Sequence, residues 1–340
     1  MKTGVIIRDF PVMSSVLALI ILLMVGVGVW DYFSPLPCQK WNKRNLKMIH
    51  VADPDNFIFS AFGESNDTAN VFVNMLKMID HDPDILFAVS LGNSVHSGNK
   101  EDYRYLLRQI RDNLGMPLLT VVGAHELKGK GENLYQDIFG PLYYSFPIGN
   151  TWFIILNDAN GQGVDPEQNR WLENQLVSSQ GYGIRIVFMH VPLFDPRGAP
   201  FHECLPEQSA AGLLKLFQQY RVTHIFASGI AGLFTGQWQG IPYTITGGAG
   251  SSLSDDDPDH YMFHSLKINI SNNRINVEAR PVSDSGRACK EDSVFDPEKI
   301  LSILSINIVE MALFVVAVIL AGGLYRLETR KRRHPGLHGQ

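Results

Sequence analysis

Cysteine is scarce in this chain. Three cysteines in 340 residues are too few for a disulfide-built scaffold, and they lack the paired spacing of a zinc site. An excess of basic charge is also missing: 29 Lys and Arg stand against 34 Asp and Glu, a formal net charge of −5. With a pI near 6.1, that balance argues against a nucleic-acid binder, which would show a basic face. Internal repeats and long low-complexity tracts are absent, which removes repeat architectures and disordered chains. What is present is 45% hydrophobic and 19% charged residues, the balance of a globular protein with a sizeable core plus some strongly apolar segments.

Two of those segments read as membrane spans. Residues 11–30 (PVMSSVLALIILLMVGVGVW) carry no charge and are long enough to cross a hydrocarbon core of ~30 Å. Lys2 and Arg8 precede them, and no small-x-small cleavage site follows, so they read as an uncleaved signal anchor. Residues 306–325 (INIVEMALFVVAVILAGGLY) form the second, with Glu310 near its outer end. Arg326, Arg330, Lys331, Arg332 and Arg333 follow it and mark a cytoplasmic flank. Lys40, Lys43, Arg44 and Lys47 favour the opposite orientation, but they are spread along a linker, and the denser tail decides. The expected organisation is a cytoplasmic N-terminus (1–10), span (11–30), linker (31–46), extracytoplasmic domain (47–282), linker (283–305), span (306–325) and basic cytoplasmic tail (326–340). A Cys38–Cys289 bridge would tie the two ends of the domain together, and two unpaired thiols fit the sequence equally well. Cys204 has no evident partner.

Between the spans, short apolar runs alternate with amphipathic stretches. Strands are predicted at Ile58–Phe62, Ile85–Leu91, Leu118–Val122, Ile184–Met189 and Thr223–Ala227. Helices are predicted at 68–79 with Asp67 as cap, around Tyr103–Ile110, at 168–176 and at 209–220. The pattern then turns all-β, with strands at 243–246, 261–270 and 274–279, the last two flanking an Asn-Asn turn. Polar residues repeatedly follow a strand's carboxyl end, where α/β folds gather their ligand-binding loops. Glu64, Asn66, Asn93, His125, Glu126 and His190 are the candidate residues by that criterion alone. Each also has a structural reading: an Asx-type turn at Asn66, a Gly-Asn turn at Asn93, strand capping by His125 and His190. His81, His96, His202, His224, His260 and His264 read as surface or core histidines.

Seven stretches occur in order at these loops: FIFSAFGESND, FAVSLGNSVHSG, LLTVVGAHE, YYSFPIGNTWFIILND with QNRWLENQL, IVFMHVPLFDPR, IFASGIAGLF and IPYTITGGAGSSL. In this series the chain resembles the calcineurin-like metallophosphoesterases, particularly bacterial secreted and membrane-bound members, over about residues 56–282. The resemblance implies an α/β fold of two packed mixed β-sheets flanked by helices, here set between two transmembrane helices. It also implies a centre of two divalent cations that share a carboxylate, activate water and clamp phosphate oxygens. Carried over position by position, the metal set is Glu64 and Asn66 where the family has its first ligands, Asn93 where it has the bridging aspartate, and His190. Ala124 stands for an asparagine ligand, and Gly229 and Ala231 for two histidines. His125 matches the catalytic histidine, a vestigial general acid, with Glu126 beside it, and Arg197 is a candidate phosphate contact.

An amide at the shared position supplies no bridging charge, so a binuclear centre is not expected. At most one divalent metal would be held weakly by Glu64, Asn66 and Asn93. The expected function is a membrane-anchored, phosphoesterase-fold protein, catalytically impaired or inactive, that binds a protein or phosphate-containing ligand and no nucleic acid. The alternative is a hydrolase with a single-metal or altered site, in which His125 is the acid. A third reading makes the domain a rigid spacer between interacting spans.

Overall fold

The computed structural model describes residues 38–66, 68–254 and 257–283, together with Leu22, Gly26 and Leu36. Asp67, Cys289 and, apart from Leu22 and Gly26, both segments read as spans lie outside the described residues. Among the described residues no helix is long and apolar enough to cross a membrane.

Two mixed sheets carry the fold. The first has the order β11-β10-β1-β2-β3, built from β1 (Asn56–Phe62), β2 (Ile85–Ser90), β3 (Leu118–Thr120), β10 (His264–Ser271) and β11 (Arg274–Pro281). The second has the order β4-β5-β6-β7-β9-β8, from β4 (Tyr144–Ile148), β5 (Thr151–Ile155), β6 (Ile184–Phe188), β7 (His224–Ala227), β8 (Leu233–Trp238) and β9 (Ile241–Thr246). β1-β2-β3 run parallel, as do β5-β6-β7-β9, while β10, β11, β4 and β8 are antiparallel to their neighbours.

Alternation along the strands decides what lies between the sheets. Phe57, Phe59 and Ala61 of β1, Phe87 and Val89 of β2, and Leu266, Ile268 and Ile270 of β10 meet Phe153, Ile186, Phe188 and Phe226 from the opposite sheet. Phe59 stacks on Phe87 with ring centroids 5.1 Å apart and meets Phe153 edge-on at 5.6 Å; Phe188 stacks on Phe226 at 5.3 Å. Each fully buried ring contributes about 2–3 kcal/mol of transfer free energy, so this layer dominates the packing between the sheets.

Helices cover both outer faces. α2 (Ala69–Asp80) and α3 (Lys100–Asn113) bury Phe72, Met75, Leu76, Ile79, Tyr103, Leu106, Leu107 and Ile110 in a common cluster with sheet residues such as Phe62, Ala88 and Leu118. α5 (Pro166–Ser178) and α6 (Glu207–Gln219) bury Leu172, Leu176, Leu213, Leu214 and Phe217 in a cluster with Ile154, Val187 and Ile225 of the second sheet. Their starts are locally encoded: Asn99 caps α3 by accepting from Asp102 N–H at 2.8 Å, and Asp165 caps α5, with Pro166 in the first turn. Thr68 occupies the N-cap position of α2 without a side-chain bond.

Three elements depart from the sequence expectation. α4 (Gly131–Ile138) and β8 were not foreseen, and residues assigned to the first linker form α1 (Trp41–Met48). α1 is docked rather than free. Trp41 Nε1 donates to Leu118 O at 2.7 Å, Asn45 Oδ1 accepts from Leu118 N at 3.1 Å, and Asn42 Oδ1 accepts from Thr120 N at 3.0 Å. Three side chains thus do for the outer edge of β3 what a neighbouring strand would do. At the far edge, the Asn-Asn turn is as expected: Asn272 and Asn273 take φ of 50° and 60° between β10 and β11.

Candidate functional site

The carboxyl ends of the parallel strands of both sheets converge, and their loops are bonded to one another. Ala249 N donates to Gly63 O at 3.0 Å and Ser251 N to Glu64 O at 2.9 Å, tying the β9 loop to the β1 loop. Glu64 N and Ser65 N donate to Gly92 O and Asn93 O, tying β1 to β2. A Cβ on Gly63 would collide with the Ser228 hydroxyl, so the β1 and β7 loops approach this closely only through glycine. Glu64 and Asn93 themselves adopt the left-handed region, at φ of 60° and 51°. Such non-glycine residues cost of order 1–3 kcal/mol each and cluster at functional sites.

Glu64 is the hub. Asn93 Oδ1 accepts from His125 N at 2.9 Å, which turns Asn93 Nδ2 toward Glu64, where it lies 3.1 Å from both carboxylate oxygens. Ser228 Oγ donates to Glu64 Oε1 at 3.2 Å, and Gly229 N–H does so at 3.1 Å. The carboxylate is nearly buried and receives donors from two other strand ends. His190 Nε2 lies 3.9 Å from Glu64 Oε1. Its Nδ1 faces Leu91 O at 2.9 Å; a carbonyl only accepts, so Nδ1 carries the proton and neutral His190 presents a lone pair at Nε2. Asp158, fully buried, orients that loop from below by accepting His190 N at 2.8 Å and Val191 N at 2.9 Å. Burial raises its pKa to about 6.

The other candidates separate. Asn66 joins His125 rather than the hub: its Nδ2 lies 2.7 Å from His125 Nδ1, and its Oδ1 accepts from Ser251 Oγ at 3.3 Å. His125 Nδ1 also lies 3.2 Å from Val95 O, a partner that only accepts, so its two neighbours favour opposite tautomers of the ring. Glu126 braces loops. Its oxygens accept three backbone N–H groups, from Gly123 at 2.9 Å, Asn93 at 2.9 Å and Ser94 at 2.7 Å. Arg197 is likewise engaged: Nε and Nη2 form a fork on Asp195 at 2.9 and 2.7 Å, Nη2 reaches Glu203 at 2.9 Å, and the guanidinium lies 4.4 Å from the Phe201 ring centre. Two carboxylates already neutralise it and raise its pKa, which leaves its phosphate-contact reading without support here. Cys38 is a free, half-buried thiol, and its suggested partner Cys289 lies outside the described residues.

No family model matches the chain. A serine/threonine-protein phosphatase CPPED1 of Bos taurus is 26% identical over 194 residues, 48% of this chain and 61% of its own length. Purple acid phosphatase 13 of Arabidopsis thaliana is 25% identical over 199 residues, 50% of this chain and 36% of its own length. The chain thus spans less than two thirds of the length of either relative. Among solved structures, a purple acid phosphatase from yellow lupin superposes with a TM-score of 0.56 at 16% identity, covering 69% of this chain and 53% of that one. GAP50, described as the anchor in the inner membrane complex of Plasmodium, superposes at 0.54 and 14%, covering 67% and 85%. The chain is a calcineurin-like metallophosphoesterase superfamily member.

A superfamily binuclear centre does not fit the residues present. Where a shared carboxylate would bridge two cations, Asn93 aims an N–H donor at Glu64, and the Gly229 position contributes a backbone N–H to the same carboxylate. Among the described residues no three His, Cys, Asp or Glu side chains cluster as a metal site requires. Hydrogen-bond donors surround the one carboxylate in the hub. His190, with Nδ1–H on a carbonyl and no hydrogen bond to Nε2 among the described residues, keeps the presentation of a ligand. Sequence reasoning missed Ser228 and Asp158. Asp158 ends the stretch FIILND, so a carboxylate just past a strand was the available signal.

Proposed function

We propose that this protein uses a phosphoesterase-fold domain for binding rather than for phosphoester hydrolysis. The domain would be tethered to a membrane by residues 11–30 and 306–325, with both termini cytoplasmic. The crevice would receive a partner protein or a phosphate-bearing ligand. The observation that carries the reading is the Glu64–Asn93 contact, in which a neutral amide donor occupies the bridging position and takes the lone pairs of the remaining acid. Two dications without a bridging anion would repel by several kcal/mol even at an effective dielectric of ~20. GAP50, a fold neighbour named for anchoring in a membrane complex, makes a scaffold role on this fold reasonable. The test is metal analysis and phosphodiester turnover of the full chain purified in detergent. The expected result is sub-stoichiometric metal and no turnover above background; two tightly held metals with brisk hydrolysis would refute the reading.

One observation favours a second reading, weak hydrolysis with a single metal: His190 Nε2 and His125 Nε2 are not engaged by protein hydrogen bonds among the described residues. In that case His125→Ala abolishes whatever turnover is measured. An unchanged rate would dismiss it.

A further inference from the structure

Lys43, Arg44 and Lys47 lie on one side of α1, and Lys40 is the residue just before it, in the left-handed region at φ 55°. All four are exposed. The opposite side of α1 is committed to the protein, because Trp41, Asn42 and Asn45 are bonded to Leu118 and Thr120 of β3. The rotation of α1 is therefore fixed, and its cations cannot turn inward. No Asp or Glu occurs from Leu36 to Ala52, and among the described residues none of the four cations has an ion pair. This stripe of four positive charges stands on a chain whose formal net charge is −5. Lys40 comes ten residues after Trp30, so it lies within ~36 Å of the end of the first apolar segment even if the intervening chain is fully extended.

We infer that α1 is a membrane-surface helix whose basic side lies on anionic phospholipid headgroups and sets the pose of the domain over the bilayer. This inference rests on the membrane tether proposed above. The side facing the protein is a surrogate β-strand and the side facing outward is a cation stripe, so one short helix joins the sheet edge to the lipid surface. Attraction to an anionic surface favours each nearby Lys or Arg by on the order of fivefold, and it fades beyond a screening length of ~10 Å at moderate salt.

The test uses the full chain reconstituted in vesicles of phosphatidylcholine alone or with about one third phosphatidylglycerol. Lysine acetylation by acetic anhydride, an uncharged reagent, is followed residue by residue by mass spectrometry. Acetylation of Lys40, Lys43 and Lys47 should slow by roughly fivefold on the anionic vesicles. The exposed Lys130 and Lys215 should not change, and ~1 M salt should remove the difference. In the triple variant Lys43→Gln, Arg44→Gln, Lys47→Gln, Lys40 should react at nearly equal rates on both vesicles. Equal acetylation of the wild-type stripe on both lipids would overturn the inference and assign this side to solvent or an acidic protein. Flotation separates the two proposals. A chain that floats but shows lipid-independent acetylation sinks only the surface-helix inference, whereas a chain that floats with neither vesicle sinks the membrane tether and this inference with it.

Discussion

Replacing Asn93 with Asp would restore the bridging carboxylate and should make the fold depend on metal. The backbone tolerates the change, since Asp, like Asn, accepts the left-handed φ of 51° found there. Oδ1 can still accept from His125 N–H, but the donor 3.1 Å from both Glu64 oxygens becomes a second anion. Two unit charges ~4 Å apart repel by about 4 kcal/mol at an effective dielectric of ~20, an upper figure because one carboxyl can take up a proton. For a domain of this size, 3–4 kcal/mol corresponds to a Tm lower by roughly 10 °C. The deficit should be largest at alkaline pH and shrink as the pH falls and the pair shares a proton. Manganese at about a hundred times its Kd would return about 2.7 kcal/mol, most of the loss. Thermal unfolding of wild type and N93D, with EDTA and with manganese, measures all of this. The expected pattern is a variant rescued by metal and a wild type indifferent to it. A wild type that loses several degrees on chelation, or an N93D protein as stable as wild type without metal, would refute the view that hydrogen bonds replace cations in this junction.

Two further predictions concern residues on either side of that junction. Glu126→Gln replaces an anion that accepts three backbone N–H groups with an amide that presents N–H to at least one of them; it should destabilise the protein by about 3 kcal/mol, read as a lower urea midpoint with an unchanged m-value. His224 is buried beside Phe226, with Nε2 3.0 Å from Thr244 Oγ1, and burial lowers its pKa from 6.5 to about 4. The folded state resists a proton that the unfolded chain accepts, so there is no penalty above pH 6.5. The penalty grows as the pH falls toward 4, to about 3 kcal/mol. His264, shifted in the same direction by burial, adds to this slope, and His224→Phe should flatten it in urea titrations between those pH values.

The strands and helices that carry the loops were legible because their signals are local. Apolar runs stopped by Gly and a polar residue located β1, β2, β3 and β7, a run stopped by His190 located β6, and helical spacing located α2, α3 and α6. α1 escaped because its buried face holds Asn42 and Asn45, so WNKRNLKM shows no apolar stripe to read. β8 escaped because LFTGQW carries a glycine at its centre and a run of exposed residues. At the site, residue types revealed which groups were missing, but not what the survivors do instead. The capture of the Glu126 carboxylate by three amides, the clasp of Arg197 by Asp195 and Glu203, and the turn of Asn66 toward His125 all arise from contacts between segments distant in sequence or from loop curvature. Ser228 belongs to the same class, since its link to Glu64 spans 164 residues.

The docking of α1 on β3 also sets where the protein can be cut. A shortened chain starting at residue 47, where sequence alone would begin the domain, would strip the amides of Leu118 and Thr120 of their acceptors and bare an open ladder position. Such an edge invites strands from other molecules, so the shortened chain should self-associate through it, whereas one that begins before Trp41 should stay dispersed.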